Sequence, residues 1–334
     1  MSIPKRFVLP AIGVIAFLVL YTVYWMYSKS VIEREVTSWI DRQEAAGYLI
    51  EQDRIRVTGF PYRFQVELTA PHIHAPEGDG GWDARMDMVK AHALFYDFSH
   101  WIIEFDGPVT LQPGDGDAVV LEADLALVSL VSDRDGITTR IGAEFDALHV
   151  SAPRGTQPSL QSVDKLLLSG TVNDEDALRI RVEATGVTAM DTAFTPEVLN
   201  AFGRTAEMIR FDLTVTQWSS LASDADASAW TRAGGQFQIA ESALAWGAAQ
   251  ISGTGDLTLD AMARPDGRIS LHITDPDALA DALVTARLVP AENEQALRLA
   301  AMMAPRGPDG VALPLRIRDG GVYLGPVRLG DIDS

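Results

Sequence analysis

The first 27 residues constrain the chain more than any other stretch. Residues Phe7–Tyr27 read FVLPAIGVIAFLVLYTVYWMY, with no charged side chain, and lie between Lys5-Arg6 and Ser28-Lys29. A helix rises about 1.5 Å per residue, so this stretch spans roughly 30 Å, the thickness of a bilayer's hydrocarbon core. The sequence therefore predicts a transmembrane helix over residues 7–27.

A cleavable secretory signal is the alternative interpretation of this stretch. Such a signal has a shorter apolar core that is followed by a small-x-small cleavage site. Here the apolar core ends in Tyr21, Tyr24, Trp25 and Tyr27, which suit a membrane–water interface, and no good cleavage pair follows. We therefore expect an uncleaved anchor.

The charges that flank the anchor do not by themselves give its orientation. Lys5, Arg6 and the amino terminus precede it, while Lys29, Arg34 and Arg42 follow it. A very short basic tail before an apolar segment is typical of a signal anchor. We therefore expect residues 1–6 in the cytoplasm, a single pass through the inner membrane, and the bulk of the chain in the periplasm.

The pattern of residues 28–47 predicts that the helix continues beyond the membrane. One mostly apolar stripe recurs at three- and four-residue steps, and Gly47 is a plausible C-terminal cap. We expect this stripe to pack on the first strands, and an interfacial helix or a lid is the alternative. The stripe consists of Ile32, Val36, Trp39, Ile40 and Gln43.

Residues 48–334 mostly alternate between apolar and polar side chains, which predicts half-buried strands. The sharpest case is a hairpin over residues 54–69, interrupted by Gly59-Phe60-Pro61-Tyr62. Further breaks are predicted at Asp106-Gly107-Pro108, Pro113–Gly116, Arg264–Gly267 and Asp319–Gly321. Residues 163–172 fit either a strand or a short helix.

Three helices interrupt the strand pattern. Thr195-Pro196-Glu197 and Asp275-Pro276-Asp277 each combine a capping side chain with proline in the first turn, and a third helix is predicted over Pro290–Met303. The apolar positions of the first two helices are Leu199, Phe202 and Met208, and Leu279, Leu283 and Leu288.

These patterns predict a mainly β (α+β) fold. We expect a transmembrane helix, then a juxtamembrane amphipathic helix over residues 28–47, then an exported β-rich domain over residues 48–334. That domain is predicted to be a long curved antiparallel sheet, either a half-barrel or two stacked sheets, with a few short packing helices. Two sub-lobes would divide near residues 152–158.

Charge and cysteine content exclude several classes of function. The net charge of −19 argues against nucleic acid and anionic headgroups as partners of the bulk of the chain. The chain has no cysteine, which excludes disulfides, zinc–thiolate sites, iron–sulfur clusters and cysteine nucleophiles.

No residue pattern nominates a catalytic, cofactor-binding or metal-binding residue. His72 and His74 would share one face of a strand, but two imidazoles need a third ligand. The acidic glycine loops Glu77–Gly81 and Gly114–Asp117 lack the spacing of a calcium loop. Motifs for a nucleophile elbow, a phosphate loop or a dinucleotide site do not occur in the sequence. We therefore expect no enzyme activity and no cofactor.

The chain resembles an alphaproteobacterial family that is known only as a domain of unknown function. The resemblance is carried by the Gly59-Phe60-Pro61-Tyr62-Arg63 turn and by the C-terminal element Leu324-Gly325-Pro326, and also by the stretches Trp39–Tyr48, Trp82, Gly253–Ile273 and Leu313–Leu329. It implies a signal anchor and transfers no catalytic residue. The C-terminal hairpins are also distantly similar to those of AsmA-like envelope proteins, whose curved sheets are thought to hold lipid.

Three functions remain open at this point. The first is a membrane-anchored envelope protein that binds or transfers lipid or another hydrophobic ligand on an apolar sheet face. The second is a structural scaffold that docks envelope protein partners. The third is a hydrolase without a recognisable motif, which would gather Asp, His or Ser in one polar cleft. In each case we expect the bilayer as a partner and no nucleic acid.

Overall fold

The protein is mainly β. The computed structural model describes residues 5–152, 158–224, 227–260, 262–289 and 310–324, together with residues 295, 298–299, 302, 306–307 and 327–331. Strands account for 54% of the structure and helices for 23%, and the strands pair in antiparallel fashion. The predicted fold class, an N-terminal apolar helix with a long antiparallel sheet and a few short helices, is confirmed.

The chain forms two compact units. The first comprises Met1–Leu121 with Leu127–Gly136, and the second comprises Glu122–Ala126 with Ile137–Ser334. The sub-lobe boundary that the sequence predicts near residues 152–158 falls largely on residues outside the described ranges.

The first unit begins with helix α1 (Lys5–Ala45), which continues without a break from the apolar stretch into the amphipathic one. Its portion Val14–Ala45 is long and apolar enough to cross a membrane. The large apolar side chains between Val14 and Leu20 are 54–69% exposed. Such an uncovered apolar surface is typical of a segment that meets lipid rather than water.

The end of α1 agrees with the predicted cap. Gly47 has a φ of +97°, in the left-handed region that suits glycine after a helix. The Tyr48 N–H donates to the Gln43 carbonyl, and the Gly47 N–H donates to the Glu44 carbonyl. These bonds satisfy carbonyls of the last turn and direct the chain into the first strand.

The sheet of the first unit consists of the strands β1 (Leu49–Glu51), β2 (Arg54–Thr58), β3 (Arg63–Thr69), β4 (His72–His74), β5 (Asp83–Leu94), β6 (Asp97–Gln112), and most of β7 (Val119–Glu122) and β8 (Leu125–Ser132). The main order of neighbouring strands is β2–β3–β5–β6–β8. The short strands β1 and β4 pair with each other, and β4 also pairs with β5.

The predicted hairpin over residues 54–69 is confirmed as β2 and β3, with Val57 opposite Val66. The predicted break at Asp106-Gly107-Pro108 is wrong, because β6 runs through it as a bulge. Met86 pairs with Val109 and Met88 with Asp106, so two residues of β6 oppose the single residue Asp87. Gly107, at a φ of +92°, provides the bulge conformation that glycine adopts readily.

The core of the first unit joins α1 to this sheet. Its buried members are Trp25 and Ile32 of the helix and Val57, Phe64 and Val66 of the strands. The Trp25 and Phe64 rings stack with their centroids 5.3 Å apart. The amphipathic helix therefore packs on the first strands, as its stripe predicts.

The second unit is an antiparallel meander in which most strands pair with their chain neighbours. Apolar residues of neighbouring strands are cross-strand partners, for example Leu168 with Val182 and Val182 with Phe211. The strands are β9 (Thr138–Ser151), β10 (Leu160–Val172), β11 (Ala177–Ala189), β12 (Thr205–Thr216), β13 (Phe237–Trp246), β14 (Ala249–Leu259), β15 (Pro265–Ile273), β16 (Arg306–Gly307), β17 (Gly310–Arg318), β18 (Gly321–Leu324) and β19 (Val327–Asp331).

Both predicted proline-led helices exist, as α2 (Pro196–Phe202) and α5 (Pro276–Thr285). The side chains of Thr195 and Asp275 accept hydrogen bonds from N–H groups of the first turns, as expected for caps. The two helices cover one end of the sheet, where Phe202 and Leu279 join one buried cluster with Val311. Both helices are shorter than predicted, since Met208 lies in β12 and Leu288 lies past α5, 56% exposed.

Three further features of the second unit differ from the sequence predictions or go beyond them. The ambiguous residues 163–172 belong to strand β10. The hairpin turn predicted at Arg264–Gly267 lies earlier, between Leu259 and Pro265, because these two residues already pair with each other. Helices α3 (Trp218–Asp224) and α4 (Ala227–Arg232) were not predicted. The third predicted helix, Pro290–Met303, lies largely outside the described residues.

Candidate functional site

A long groove lies in the first unit between α1 and the sheet. One wall is a helix face that runs from Tyr27 to Arg42. These residues are 15 positions apart, so the wall is about 22 Å long at 1.5 Å per residue. Its near end is therefore the last residue of the uncharged stretch, and its far end is close to the helix terminus.

The opposite wall is built from the apolar faces of β3, β5, β6 and β8. Val66 pairs with Ala91, and Ala91 pairs with Ile103, so their side chains lie in one row across three strands. Trp101 and Leu130 are likewise opposite each other on β6 and β8. Alternation along each strand thus places these apolar side chains on one face, where they line the groove.

The groove is open and large enough for a small hydrophobic molecule. Its volume is about 770 Å³, within the range of roughly 300–1,000 Å³ that is common for ligand sites. Val66 forms a floor that is 2% exposed, whereas Trp39 of the helix wall and Phe98 of the sheet wall are 44% and 41% exposed. The apolar walls are therefore partly uncovered above a closed floor.

Polar groups are few and lie along the helix. The lining includes the side chains of Ser28, Glu35 and Arg42, and every other lining residue is apolar or aromatic. Glu35 and Arg42 are both exposed. The groove therefore offers an apolar surface with one carboxylate, that of Glu35, midway along its helix wall and one guanidinium, that of Arg42, at the end farther from the apolar stretch.

The other face of the same strands is polar and internally paired. Lys90 of β5 donates to the Asp106 carboxylate at 2.7 Å, and this hydrogen bond raises the pKa of Lys90. His92 lies 3.3 Å from Glu104, and Gln65 donates to Glu67 at 2.7 Å. The charges of this face are thus matched across strands, and the groove lies on the opposite face.

The second unit has an apolar depression of its own, about 510 Å³ in volume. It lies on the β9–β11 strands, where Ile141 and Ile180 flank Gly170 in the register. Ile141 is 50% exposed and Leu168 is 37% exposed. This depression is smaller than the groove, and the apolar anchor stretch contributes no residue to it.

The two histidines considered as metal ligands are held by carboxylates instead. His72 Nε2 lies 2.5 Å from Asp83 Oδ2, and His74 Nδ1 lies 3.7 Å from the same oxygen. Glu51 lies 3.5 Å from His72 Nδ1. Among the described residues, no group of three or more His, Asp or Glu side chains has an arrangement that could hold a metal ion.

The structure also brings His100 and Ser129 together, which sequence reasoning did not anticipate. His100 Nε2 lies 2.9 Å from Ser129 Oγ, on an exposed part of β6 and β8. Neither residue lines the groove or the depression described above. This pair is on the face opposite the groove.

The groove itself was not predicted, although its helix wall was partly visible in the sequence. The stripe Ile32, Val36, Trp39 and Ile40 was expected to be packed, and Ile32 and Ile40 are indeed buried. Trp39 is exposed enough to be a wall rather than a core residue. Which member of an apolar stripe stays uncovered depends on the partner strands, and that information is not local.

These features define a class of protein: a mainly β protein with one N-terminal helix able to span a bilayer and an apolar groove beside that helix. Within this class, the chain belongs to a bacterial family described as "Uncharacterized protein conserved in bacteria (DUF2125)", whose model matches residues 25–333. The match confirms the resemblance to a family of unknown function. Comparisons with curated proteins and with solved structures gave no match.

Proposed function

We propose that this protein is a non-enzymatic, membrane-anchored protein of the bacterial envelope that binds an acyl chain in the groove of its first unit. In this proposal α1 crosses the inner membrane as a signal anchor, residues 1–6 stay in the cytoplasm, and residues 28–334 are periplasmic. The ligand is a membrane lipid, or another elongated hydrophobe that is dissolved in the bilayer.

One observation carries the proposal: the groove starts at Tyr27, where the uncharged stretch ends. A hydrocarbon chain that leaves the bilayer next to α1 would thus meet apolar side chains without crossing water. Burial of apolar area is favourable by about 25 cal/mol per Å². The apolar row Val66, Ala91 and Ile103 supplies such area opposite the helix.

The charges in and around the groove are consistent with a hydrophobic ligand. A buried charge without a partner is costly, and the strand wall of this groove contains none. The Arg42 guanidinium at the far end is suited to an anionic group of the ligand, since arginine binds carboxylate and phosphate by paired hydrogen bonds.

The experiment compares Leu130→Asp with Ser129→Asp. Leu130 lines the groove, whereas Ser129 is the preceding residue and faces the polar side, so both variants add one carboxylate at nearly the same place. The full chain is purified in mild detergent and titrated with 11-(dansylamino)undecanoic acid, whose fluorescence increases in an apolar site. Circular dichroism and thermal unfolding confirm that both variants are folded.

We expect L130D to weaken binding at least about tenfold, because a carboxylate that must be desolvated against a hydrocarbon chain costs more than about 1.4 kcal/mol. S129D should bind like the natural chain. Equal binding by the two folded variants, or no binding by the natural chain, would contradict the proposal.

A further inference from the structure

Two turns of the first unit present aromatic side chains that the sheet does not need for its core. The turn between β2 and β3 carries Phe60 and Tyr62, which are 51% and 77% exposed. The turn between β5 and β6 carries Tyr96, which is 71% exposed, next to Leu94 at 45%. Exposed apolar side chains grouped in this way mark a surface that contacts something other than water.

Both turns are attached to the apolar part of α1. Tyr21 donates its hydroxyl hydrogen bond to the Pro61 carbonyl in the first turn. Its ring also packs against Phe60 and Phe95, with centroid distances of 6.1 Å and 5.6 Å. Tyr24 donates to the Phe95 carbonyl in the second turn at 3.3 Å. The helix therefore fixes the position of both turns along its axis.

That position is within the uncharged stretch rather than beyond it. Tyr21 lies six residues before Tyr27, the last residue of the stretch, which corresponds to about 9 Å along the helix. Side chains that lie in a membrane interface reach roughly 5–10 Å into the boundary between headgroups and acyl chains. Tyrosine and tryptophan are the residues enriched at this depth.

We propose that the two turns form an aromatic collar, defined as Phe60, Tyr62 and Tyr96, that inserts into the interface of the bilayer crossed by α1. The collar is a second membrane contact, made by β-hairpins, and none of its side chains lines the groove. The occupant is lipid because the helix at the level of the collar also carries uncovered apolar side chains, Leu20 at 69% and Val23 at 60% exposed, which face away from the packed sheet. This inference rests on the membrane anchoring in the proposed function.

The collar also sets the position of the groove. Phe98 follows the second turn by two residues and lines the groove, and its ring lies 5.5 Å from that of Phe64. Insertion of Tyr96 therefore places the Tyr27–Phe98 end of the groove at the membrane surface. It restricts tilting of the packed helix and sheet relative to the membrane, which one anchor alone would allow.

The collar can be tested by site-directed spin labelling of the full chain, because the chain has no cysteine of its own. Single variants Tyr62→Cys and Tyr96→Cys label the collar. Val19→Cys, in an exposed apolar part of α1, and Asp115→Cys, in the exposed turn that follows β6 at the end of that strand away from the collar, are the lipid and water references. Each labelled protein is reconstituted into vesicles of phosphatidylethanolamine and phosphatidylglycerol, and the accessibility of the label to oxygen and to a water-soluble nickel complex is measured.

We expect the labels at positions 62 and 96 to favour oxygen over nickel, at a depth between those of the two references. Collar labels that match D115C while V19C is in lipid would overturn the collar and leave the anchor and the groove intact. A water-exposed label at V19C would overturn the anchoring itself, and with it both proposals. Loss of ligand binding in the groove assay has no bearing on these depths.

Discussion

Asp212 shows how single residues make one face of the second unit's sheet polar. It accepts hydrogen bonds from Arg179 at 2.8 Å and 2.5 Å and from Arg181 at 3.0 Å, and its side chain is only 13% exposed. These guanidinium hydrogen bonds, that of Arg179 above all, lower the pKa of Asp212. The neighbouring Arg210 pairs with Glu183 and Glu241 in the same way.

The lowered pKa gives a prediction about pH. A carboxyl group whose pKa is lower in the folded state stabilises the fold above its unfolded pKa, about 3.9, and this stabilisation is lost as the pH falls through the folded pKa. We expect Asp212→Asn to reduce the free energy of unfolding by about 1–2 kcal/mol at about pH 7, since two arginines lose a charged acceptor. As the pH falls below about 3.9 and through the lowered pKa of Asp212, the difference from the natural chain should shrink toward zero.

Urea unfolding of the full chain in detergent at several pH values measures this difference. Asp135→Asn, the same substitution at an exposed position in the turn after β8, is the control and should stay within about 0.5 kcal/mol of the natural chain. A D212N deficit that is constant from neutral to acid pH would show that the ion pairs do not account for the stability.

At the residue scale, the sequence predicts features whose cause is local. Thr195 and Asp275 cap helices through bonds to N–H groups three residues away, and Gly47 ends α1 through its own backbone conformation. Met208 fails as a helix prediction because its apolar spacing also fits the alternation of β12, and the sheet register decides between the two. Local residue types thus locate element ends better than element lengths.

At the element scale, the buried side chain of Trp230 attaches α4 to the second unit. Trp230 is fully buried, packs on Phe237 with ring centroids 4.7 Å apart, and donates from Nε1 to the Thr216 carbonyl at 2.7 Å. Gly235 makes this packing possible, because a Cβ atom built there would lie 2.2 Å from the Trp230 ring.

Gly235→Ala should therefore destabilise the second unit. The added methyl group has to displace a fully buried ring, and overpacking of this kind costs roughly 1–3 kcal/mol. Gly78→Ala is the matched control, since a Cβ atom at Gly78 meets nothing within 4 Å, and it should change stability by less than about 0.5 kcal/mol.

Thermal unfolding of the full chain, followed by near-ultraviolet circular dichroism, reports on this prediction because Trp230 and Phe237 contribute to the signal. A melting temperature for G235A equal to that of G78A would mean that Trp230 does not occupy the position described.

Helices α3 and α4 also show a limit of sequence reasoning at this scale. Both are short, and the residues 218–232 have neither a proline start nor a long apolar repeat. The position of α4 depends on the Trp230 pocket, which Thr216 and Phe237 help to form. The position of α3 depends on Asp176, whose carboxylate accepts hydrogen bonds from the Ser219 N–H and Oγ. The bulge at Gly107 shows the same limit. A glycine–proline pair is compatible with a turn that ends a strand and with a bulge inside one, so the sequence alone predicts a break there.

At the scale of the whole molecule, the sequence indicates most of the architecture and little of the site. An uncharged stretch of 21 residues and period-two alternation predict a helix that can span a membrane and a mainly antiparallel fold. Alternation shows that one face of a strand is apolar. It does not show what covers that face, and the partial exposure of Trp39 and Phe98 above Val66 is visible only in the structure.

The central claim is that the groove beside α1 holds lipid in the cell, and photocrosslinking tests it most directly. A benzoylphenylalanine is placed at Trp39, which lines the groove, or at Thr37, which lies about 200° around the helix and is exposed. Cells that produce each full-length variant are irradiated, and the purified chains are weighed by mass spectrometry.

We predict a lipid adduct on the chain labelled at position 39 and none above background on the chain labelled at position 37. A protein adduct at position 39 would support the scaffold function instead. An absence of adducts there, or lipid adducts of equal yield at both positions, would contradict the claim that the groove is a lipid site.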